Sequence, residues 1–318
     1  MLAKSIRYAL TRRSERSETI PWKRHITLGS RGSALALAQT EQVRRMIRER
    51  FPELDVEIRV VRTEGDIDRT SPLSGFGGRG AFVRTIETAL LCGKIDIGVH
   101  SLKDLPSRLP DGLTLGASPV RGDPRDALVT RDGLTLDRLP QGGAVATGSD
   151  RRRIQLAALR PDLRFLSIRG NVETRIRRIG SDGLDGVALA LAGLMRLGLE
   201  SRAAQVFTPD EVLPAPCQGA LGLECRADDS RILGLLREIE NWDVRVCVDT
   251  ERAFIAALGL GCHAPVAALA VTEGEMVRFT GLAAGGSGTV VRRTLAASRE
   301  RAVEEARRLA FEMRDALS

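Results

Sequence analysis

The chain has 318 residues, of which 43% are hydrophobic and 28% charged, and this composition excludes a disordered or fibrous protein. No apolar run approaches the roughly 18 residues that a membrane helix needs. The formal net charge is +7, and all but four of the 48 basic residues are arginine. The aromatic content of 3% argues against a stacking platform for single-stranded nucleic acid. The basic residues are scattered along the chain, which argues against a duplex-binding stripe.

The pattern of apolar residues from residue 26 onward predicts two units of alternating strands and helices, followed by a smaller α+β region. In the first unit we predict strands at 26–28, 56–61 and 95–99 and helices at 34–50 and 82–91. In the second unit we predict strands at 144–146, 163–168 and 187–191 and helices at 150–159 and 172–179. In the last region we predict helices at 250–258 and 298–317 and strands at 266–271 and 277–282.

Strands that alternate with helices indicate mostly parallel sheets covered by helices. We therefore predict two hinged, binding-protein-like α/β domains and a smaller α+β C-terminal domain, with chain crossings near 119–125 and 214–216. The predicted boundaries are a disordered basic extension at 1–24, domain 1 at 25–120 plus about 217–238, domain 2 at 121–216 and domain 3 at 239–318. Ligands of such sheets bind beyond the carboxyl ends of the strands, in the cleft between the domains.

The first 24 residues are basic and lack the apolar segment of a secretory signal. A transit peptide is the alternative, but Glu15 and Glu18 count against it. The chain has five cysteines and no CxxC pair, which argues against a disulfide framework, a zinc ribbon or another metal site. We therefore expect no metal and a location in the reducing cytoplasm.

Arginines stand at three predicted strand-to-helix turns: Arg31, the run 151–153, and Arg169 with Arg175. Helix N-termini already attract anions, and an arginine there opposes the helix dipole. This arrangement indicates a ligand with several carboxylates or phosphates. The alternative is that these arginines are solvated surface residues.

Two further positions could carry chemistry. Asp104, beside Lys103, follows the predicted strand at 95–99 and could act as a general acid and base, although an ordinary turn aspartate fits the spacing equally well. Cys262 lies in a glycine- and proline-bounded loop at 259–265 that would expose its thiol. The alternative, a small buried hydrophobe, fits the other four cysteines better.

Seven segments of the chain together resemble one known family, the porphobilinogen deaminases, also called hydroxymethylbilane synthases. The resemblance runs from about residue 26 to the C-terminus. HSLKDLP and RGNVETR are its most specific motifs. The segments are SRGSALALAQ (30–39), GVHSLKDLP (98–106), GDPRDALV (122–129), RGNVETR (169–175), LAGLMRLGLESR (191–202), QGALGLECR (218–226) and GLGCHAPV (259–266).

The resemblance implies an enzyme of tetrapyrrole and heme biosynthesis with three domains. It implies a dipyrromethane cofactor bonded as a thioether to Cys262, to which four porphobilinogen units are added in turn with loss of ammonia before the linear tetrapyrrole is released by hydrolysis. It implies that Asp104 is catalytic. It also implies a small-molecule substrate, no nucleic-acid or membrane partner, and a monomer. The residues implied to hold cofactor and substrate carboxylates are Arg31, Ser33, Lys103, Ser149, Arg151, Arg152, Arg169 and Arg175.

This chemistry explains why several arginines are present, because each porphobilinogen carries an acetate and a propionate. Loss of ammonia leaves a cationic azafulvene, which a carboxylate can stabilise before it takes the proton from the ring carbon. The rival interpretations are a cleft protein that binds acidic small molecules without chemistry and a nucleic-acid-binding protein. The presence of both Cys262 and Asp104 favours the enzyme.

Four positions depart from the family pattern. The loop at 74–80 has Gly75 and Arg79 where typical members have lysines, Asp150 lies beside the arginine pair, and Cys217 replaces a glycine. We expect the loop mainly to screen the cleft from water. Arg79 then suffices, because the other arginines supply most of the positive charge. The alternative is that charge at residue 75 matters and that elongation is slower in this protein.

Overall fold

The computed structural model describes residues 25–61, 80–181, 183–260, 264–285 and 288–317. They form two five-stranded mixed sheets and one three-stranded antiparallel sheet, each covered by helices. This mixed α/β architecture confirms the predicted fold class.

The first sheet has the strand order β2-β1-β3-β10-β4. The first three strands are mutually parallel, and β10 runs antiparallel to both of its neighbours. Helix α1 packs its fully buried Val43 and Ile47 against this sheet. The elements are β1 (His25–Ser30), α1 (Ala34–Arg50), β2 (Asp55–Val60), α2 (Gly80–Leu91), β3 (Ile97–Ser101), β4 (Leu113–Ala117), β10 (Leu221–Arg226) and α6 (Ser230–Glu238).

The second sheet repeats this plan with the order β7-β6-β8-β5-β9. The strands β7, β6 and β8 are parallel, whereas β5 is antiparallel to β8 and β9. Apolar residues with no exposed surface, among them Val145 and Val187, form its core. The elements are β5 (Asp126–Thr130), β6 (Ala144–Ala146), α3 (Asp150–Leu159), β7 (Arg164–Leu166), α4 (Val172–Arg177), β8 (Gly186–Ala190), α5 (Leu191–Arg196) and β9 (Gln205–Val206).

The C-terminal unit packs two helices on an antiparallel sheet of order β11-β12-β13. The rings of Phe254 and Phe279 meet edge to face with centroids 5.1 Å apart. A Cβ at Gly281 would lie 2.6 Å from the Phe254 ring, so this close packing requires glycine there. The elements are α7 (Trp242–Leu258), β11 (Val266–Glu273), β12 (Met276–Ala284), β13 (Val290–Ser298) and α8 (Ala302–Asp315).

Two chain segments cross between the first and second sheets and pair with each other. Arg121 and Ala220 form an antiparallel bridge, and the Gly122 amide donates to the Gly219 carbonyl at 3.0 Å. Nearby, Cys217 has φ 59°, and it is the one non-glycine residue in the described ranges with positive φ. The family glycine at this position therefore has a conformational reason, which the sequence alone did not supply.

Several boundaries differ from the predictions. Helix α7 begins at Trp242 rather than 250, because the Asn241 side chain caps the amides of Asp243 and Val244. The last helix begins at Ala302 rather than 298, because Ser298 still pairs with Met276 in a third strand that we had not predicted. The antiparallel strands β4, β5, β9 and β10 were also missed.

Candidate active site

The first edge of the site is formed by the carboxyl ends of β1 and β3. These strands are adjacent and parallel, so Arg31, which follows β1, and the Lys103–Asp104 pair, which follows β3, emerge at the same edge. Asp104 ends a single 3-10 turn, and its side chain is exposed. The flanking Leu102 and Leu105 are 1% and 6% exposed and anchor the turn in the core. The carboxylate is thus accessible on a firmly held turn.

The second edge contains a buried carboxylate that the sequence analysis did not single out. Asp126 begins β5 and lies opposite Ala190 at the end of β8, so it shares an edge with the first turn of α3. Its oxygens accept hydrogen bonds from Arg151 Nη1 at 2.7 Å and Arg152 Nε at 2.9 Å, and they ion-pair with Arg152 Nη2 at 2.7 Å. All three residues are almost fully buried.

This triplet gives the predicted pair Arg151 and Arg152 a partner inside the protein. Burial by itself would raise the pKa of Asp126, but the two guanidinium groups outweigh it and hold the pKa well below its ordinary value. Asp126 is therefore ionised at neutral pH. One carboxylate faces two cations, so the triplet keeps a net positive charge.

Gln218 connects the two edges through one amide group. Its Nε2 donates to the Pro124 carbonyl at 2.7 Å and to Asp126 Oδ1 at 2.8 Å. Its Oε1 accepts from Lys103 Nζ at 3.3 Å and from Arg152 Nη2 at 3.4 Å. The structure thus brings a cation of the first sheet and a cation of the second to the same oxygen.

The surroundings of Lys103 disfavour the charged form of its side chain. Its side chain is exposed where it lines the cleft, but the protein packed around the ammonium lowers its pKa to about 8. Arg152 and Arg151 lower it further by repulsion, whereas Asp104 and Asp126 act in the opposite direction. Burial is the largest of these effects, and an anion bound here would favour the charged ammonium.

Ser33 and Ser149, which the resemblance implies as binding residues, each cap a helix. Ser33 Oγ accepts from the Ala36 amide at 3.3 Å, and Ser149 Oγ accepts from the Arg152 amide at 3.5 Å, so each caps a helix N-terminus. Asp150 is exposed in the first turn of α3, where it pairs with Arg153 at 3.0 Å. An acid there complements the helix dipole, which accounts for this departure from the family pattern.

Arg169 and Arg175 flank the end of β7, at the same edge as Arg152. Arg169 is exposed, and Arg175 Nε donates to the Gly170 carbonyl at 2.7 Å. The sequence analysis missed Arg196 of α5, which donates to the Gly219 carbonyl at 2.7 Å, and burial lowers its pKa to about 10. The sequence feature that could have identified Arg196 is its position within the family segment at 191–202.

Cys262, which the resemblance implies as the attachment residue, and the loop residues Gly75 and Arg79 lie outside the described residues. Of the cysteines that are described, three are buried. Burial raises the pKa of Cys217 strongly, that of Cys225 to about 12 and that of Cys247 to about 11, and a thiol needs to be a thiolate to act as a nucleophile.

Cys92 is exposed, so the interpretation as a small buried hydrophobe, which we preferred for the four cysteines besides Cys262, is wrong for this one. It follows α2 and precedes β3, whereas Asp104 follows β3. Cys92 therefore lies at the opposite edge of the sheet from Asp104.

Within the described ranges, no three His, Cys, Asp or Glu side chains are grouped as metal ligands. None of the helices described is both long and apolar enough to cross a membrane.

Two α/β units that are joined by two crossings, and that bring cations of both sheets to one amide oxygen, define a binding-protein-like fold with a cationic cleft, the type of site that suits anionic ligands. The sequence model for the porphobilinogen deaminase dipyrromethane cofactor binding domain matches residues 26–234, and the model for the porphobilinogen deaminase C-terminal domain matches residues 245–317. The chain belongs to the porphobilinogen deaminase family, which confirms the resemblance.

Individual relatives agree with this assignment. A porphobilinogen deaminase of Roseiflexus sp. (strain RS-1) is 46% identical over 270 residues, 85% of this chain and 89% of the relative. That of Syntrophus aciditrophicus (strain SB) is 42% identical over 289 residues, 91% of this chain and 94% of the relative. Among solved structures, a VFT2 domain of Bordetella pertussis BvgS aligns with a TM-score of 0.41 at 16% identity, over 68% of this chain and 87% of that domain.

Proposed function

We propose that Asp104 and the cations around it perform the reaction of the porphobilinogen deaminase family in this chain. In that reaction four porphobilinogen molecules are joined head to tail, with loss of ammonia, on a covalent dipyrromethane primer. The observation that carries the proposal is the exposed Asp104 carboxylate beside Lys103, whose ammonium shares the Gln218 oxygen with Arg152. Carboxylate chemistry and anion binding thus meet in one cleft.

The residues fit a dipyrromethane group, which is a polycarboxylate. Asp126 neutralises one charge of the Arg151–Arg152 pair, so one positive charge of that pair remains without a carboxylate partner. Lys103 together with Arg31, Arg169 and Arg175 would hold the carboxylates, and Cys262 would carry the thioether. When bound, the group supplies the pyrrole carbon to which the substrate is joined.

Asp104 would act twice on each substrate molecule. Its carboxylate would stabilise the positive charge that develops on the substrate as ammonia leaves. It would then accept the proton lost from the ring carbon after the new bond has formed. Lys103 beside it would hold a carboxylate of the incoming ring and thereby orient that ring toward Asp104.

The test of this role is Asp104→Asn, which keeps the size of the side chain but removes the charge. We expect a folded protein whose turnover is lower by about a hundredfold or more, the scale for losing a catalytic acid–base group. The matched control is Asp111→Asn, an exposed aspartate in the same segment just before β4, which should retain full turnover. Near-normal turnover of Asp104→Asn would reject the role.

The proposal includes a cytoplasmic monomer that acts on the small molecule and binds no nucleic acid. The absence of a CxxC pair and the scattered basic residues support it. Light scattering coupled to gel filtration tests the monomer. A mobility shift with duplex DNA in dilute salt tests the absence of nucleic-acid binding.

A further inference from the structure

Arg252 of the C-terminal unit contacts the backbone directly after Asp104. Its Nη2 donates to the carbonyls of Pro106 at 2.7 Å and Ser107 at 2.9 Å, and its Nη1 donates to the Leu105 carbonyl at 3.4 Å. The donor belongs to α7, whereas the acceptors belong to the segment between β3 and β4. One guanidinium group therefore joins two units of the protein at the residues that follow the reactive carboxylate.

This contact differs from the other arginine contacts of α7. Arg252 is half-buried, and in the described part of the chain no carboxylate lies within ion-pair distance of it. Arg245, two turns earlier on the same helix, pairs with Asp249 at 2.8 Å and Glu240 at 3.1 Å and donates to one carbonyl, that of Leu115 at 3.3 Å. The planar fork of Arg252 is thus used to hold a backbone segment, which the single ammonium of a lysine matches less well.

The residue before Arg252 fixes the helix itself to the chain crossings. Glu251 is fully buried and ion-pairs with Arg121 Nη1 at 2.7 Å. It also accepts hydrogen bonds from the Cys217 amide and, at 2.7 Å, from the Ala270 amide. Because Glu251 anchors α7 to the crossings, the neighbouring Arg252 presents its donors from a fixed position.

The segment that Arg252 holds has little other anchorage. Leu102 and Leu105 are buried, but most of the residues at 106–112 are exposed, and no strand begins until Leu113. Within the turn itself, the Leu105 amide donates to the Leu102 carbonyl at 3.2 Å. Without the guanidinium group, the chain after Leu105 would keep the packing of Leu109 against the core and the hydrogen bond from the Leu113 amide to the Pro110 carbonyl, but the carbonyls of Pro106 and Ser107 would lose their donor.

We propose that Arg252 is a positioning residue for Asp104, fixing the backbone after the 3-10 turn so that the carboxylate points into the cleft. This inference rests on the proposed role of Asp104. Helix α7 ends at Leu258, and Cys262 follows four residues later in the sequence. The helix that carries Arg252 therefore also leads to the residue at which we expect the cofactor to be attached.

The first measurement is turnover of Arg252→Met, expressed per molecule that carries the primer by intact mass. We expect kcat to fall by about 10- to 100-fold, because a displacement near 1 Å can cost that much, with KM for porphobilinogen within a factor of about two. Arg252→Lys, which keeps the charge and can reach one or two carbonyls, should lie between. The control Arg245→Met should lose stability but keep kcat. A loss of kcat in Arg245→Met equal to that in Arg252→Met would overturn the inference.

The second measurement separates a positioning role from a merely structural one. If Arg252 acts through Asp104, then Arg252→Met in the Asp104→Asn background should cause no further loss of kcat, so the two effects are not additive. Hydrogen exchange of the amides of Leu105, Ser107 and Arg108 should also accelerate in Arg252→Met. Full additivity, or unchanged exchange, would overturn the inference and leave the role of Asp104 intact. Normal turnover of Asp104→Asn would instead reject the proposed function itself.

Discussion

The buried triplet of Asp126, Arg151 and Arg152 offers a sharp test of how this site is held together. Replacing Asp126 by asparagine keeps the size and one acceptor oxygen but removes the carboxylate charge that balances two buried guanidinium groups. It also places an amide beside Gln218 Nε2, which now donates to Asp126 Oδ1 at 2.8 Å. The substitution should therefore disturb both the arginine pair and the amide that connects the domains.

Removing one partner of a buried ion pair costs about 3–5 kcal/mol, because the remaining charge is left without compensation. The retained oxygen can still accept one hydrogen bond, so we expect the lower half of that range, about 3–4 kcal/mol. The control is Asp123→Asn, which breaks the contact with Arg125 on the same crossing, 2.6 Å long but partly exposed. An ion pair in that setting contributes about 0.2–1 kcal/mol.

The two variants should also differ in acid. The pKa of Asp126 is lowered in the folded protein, so its contribution is fully present above the unfolded value near 3.9 and is lost as the pH falls through the folded value. Wild-type stability should thus decline below about pH 5 more steeply than that of Asp126→Asn.

Urea unfolding followed by far-UV circular dichroism at pH 7 and pH 3 measures both effects. We expect a large gap between wild type and Asp126→Asn at pH 7 that narrows by about 1 kcal/mol at pH 3. A loss below about 1 kcal/mol at pH 7, equal to that of Asp123→Asn, would refute the argument that this carboxylate holds the arginine pair. A gap of the same size at both pH values would refute the assignment of the acid dependence.

Three further outcomes follow from the cysteines and the loop. The purified protein should be heavier than its sequence by two pyrrole units; Cys262→Ser should lose that mass and Cys92→Ser keep it, so a modification that persists in Cys262→Ser contradicts the attachment. Cys217 has a positive φ, so the variant Cys217→Gly should be more stable than the variant Cys217→Ala by about 1 kcal/mol in thermal unfolding. At an unstrained buried site the order of the two variants would be the reverse. In the loop, Arg79→Ala should slow elongation and let partly extended enzyme accumulate in native mass spectra, whereas Gly75→Lys should leave that distribution unchanged; the opposite pattern would show that charge at residue 75 matters.

Local signals in the sequence determined the helices whose ends are set by nearby residues. The bounds predicted for α1 and α3 are those observed, because each follows a capping serine and ends where its apolar period stops. The same logic fails for α7, since the apolar pattern was read from 250 and the Asn241 cap was overlooked. The family motifs likewise pointed to Asp104 as catalytic, because a short segment carries that signal.

The tertiary structure alone decided how the site is assembled. Asp126 stands in an apolar strand 25 and 26 residues before the arginines that it pairs with, and Gln218 lies 115 residues from Lys103. No periodicity reports such distant pairs, because a repeat of two or about four residues describes only which face of one element is buried. Which charges share that buried space depends on the strand order, here with β5 inserted antiparallel beside β8. The sequence therefore determined which cations the protein has, whereas the fold decided that Arg151 and Arg152 face a carboxylate of their own and that Lys103 shares the Gln218 oxygen with Arg152.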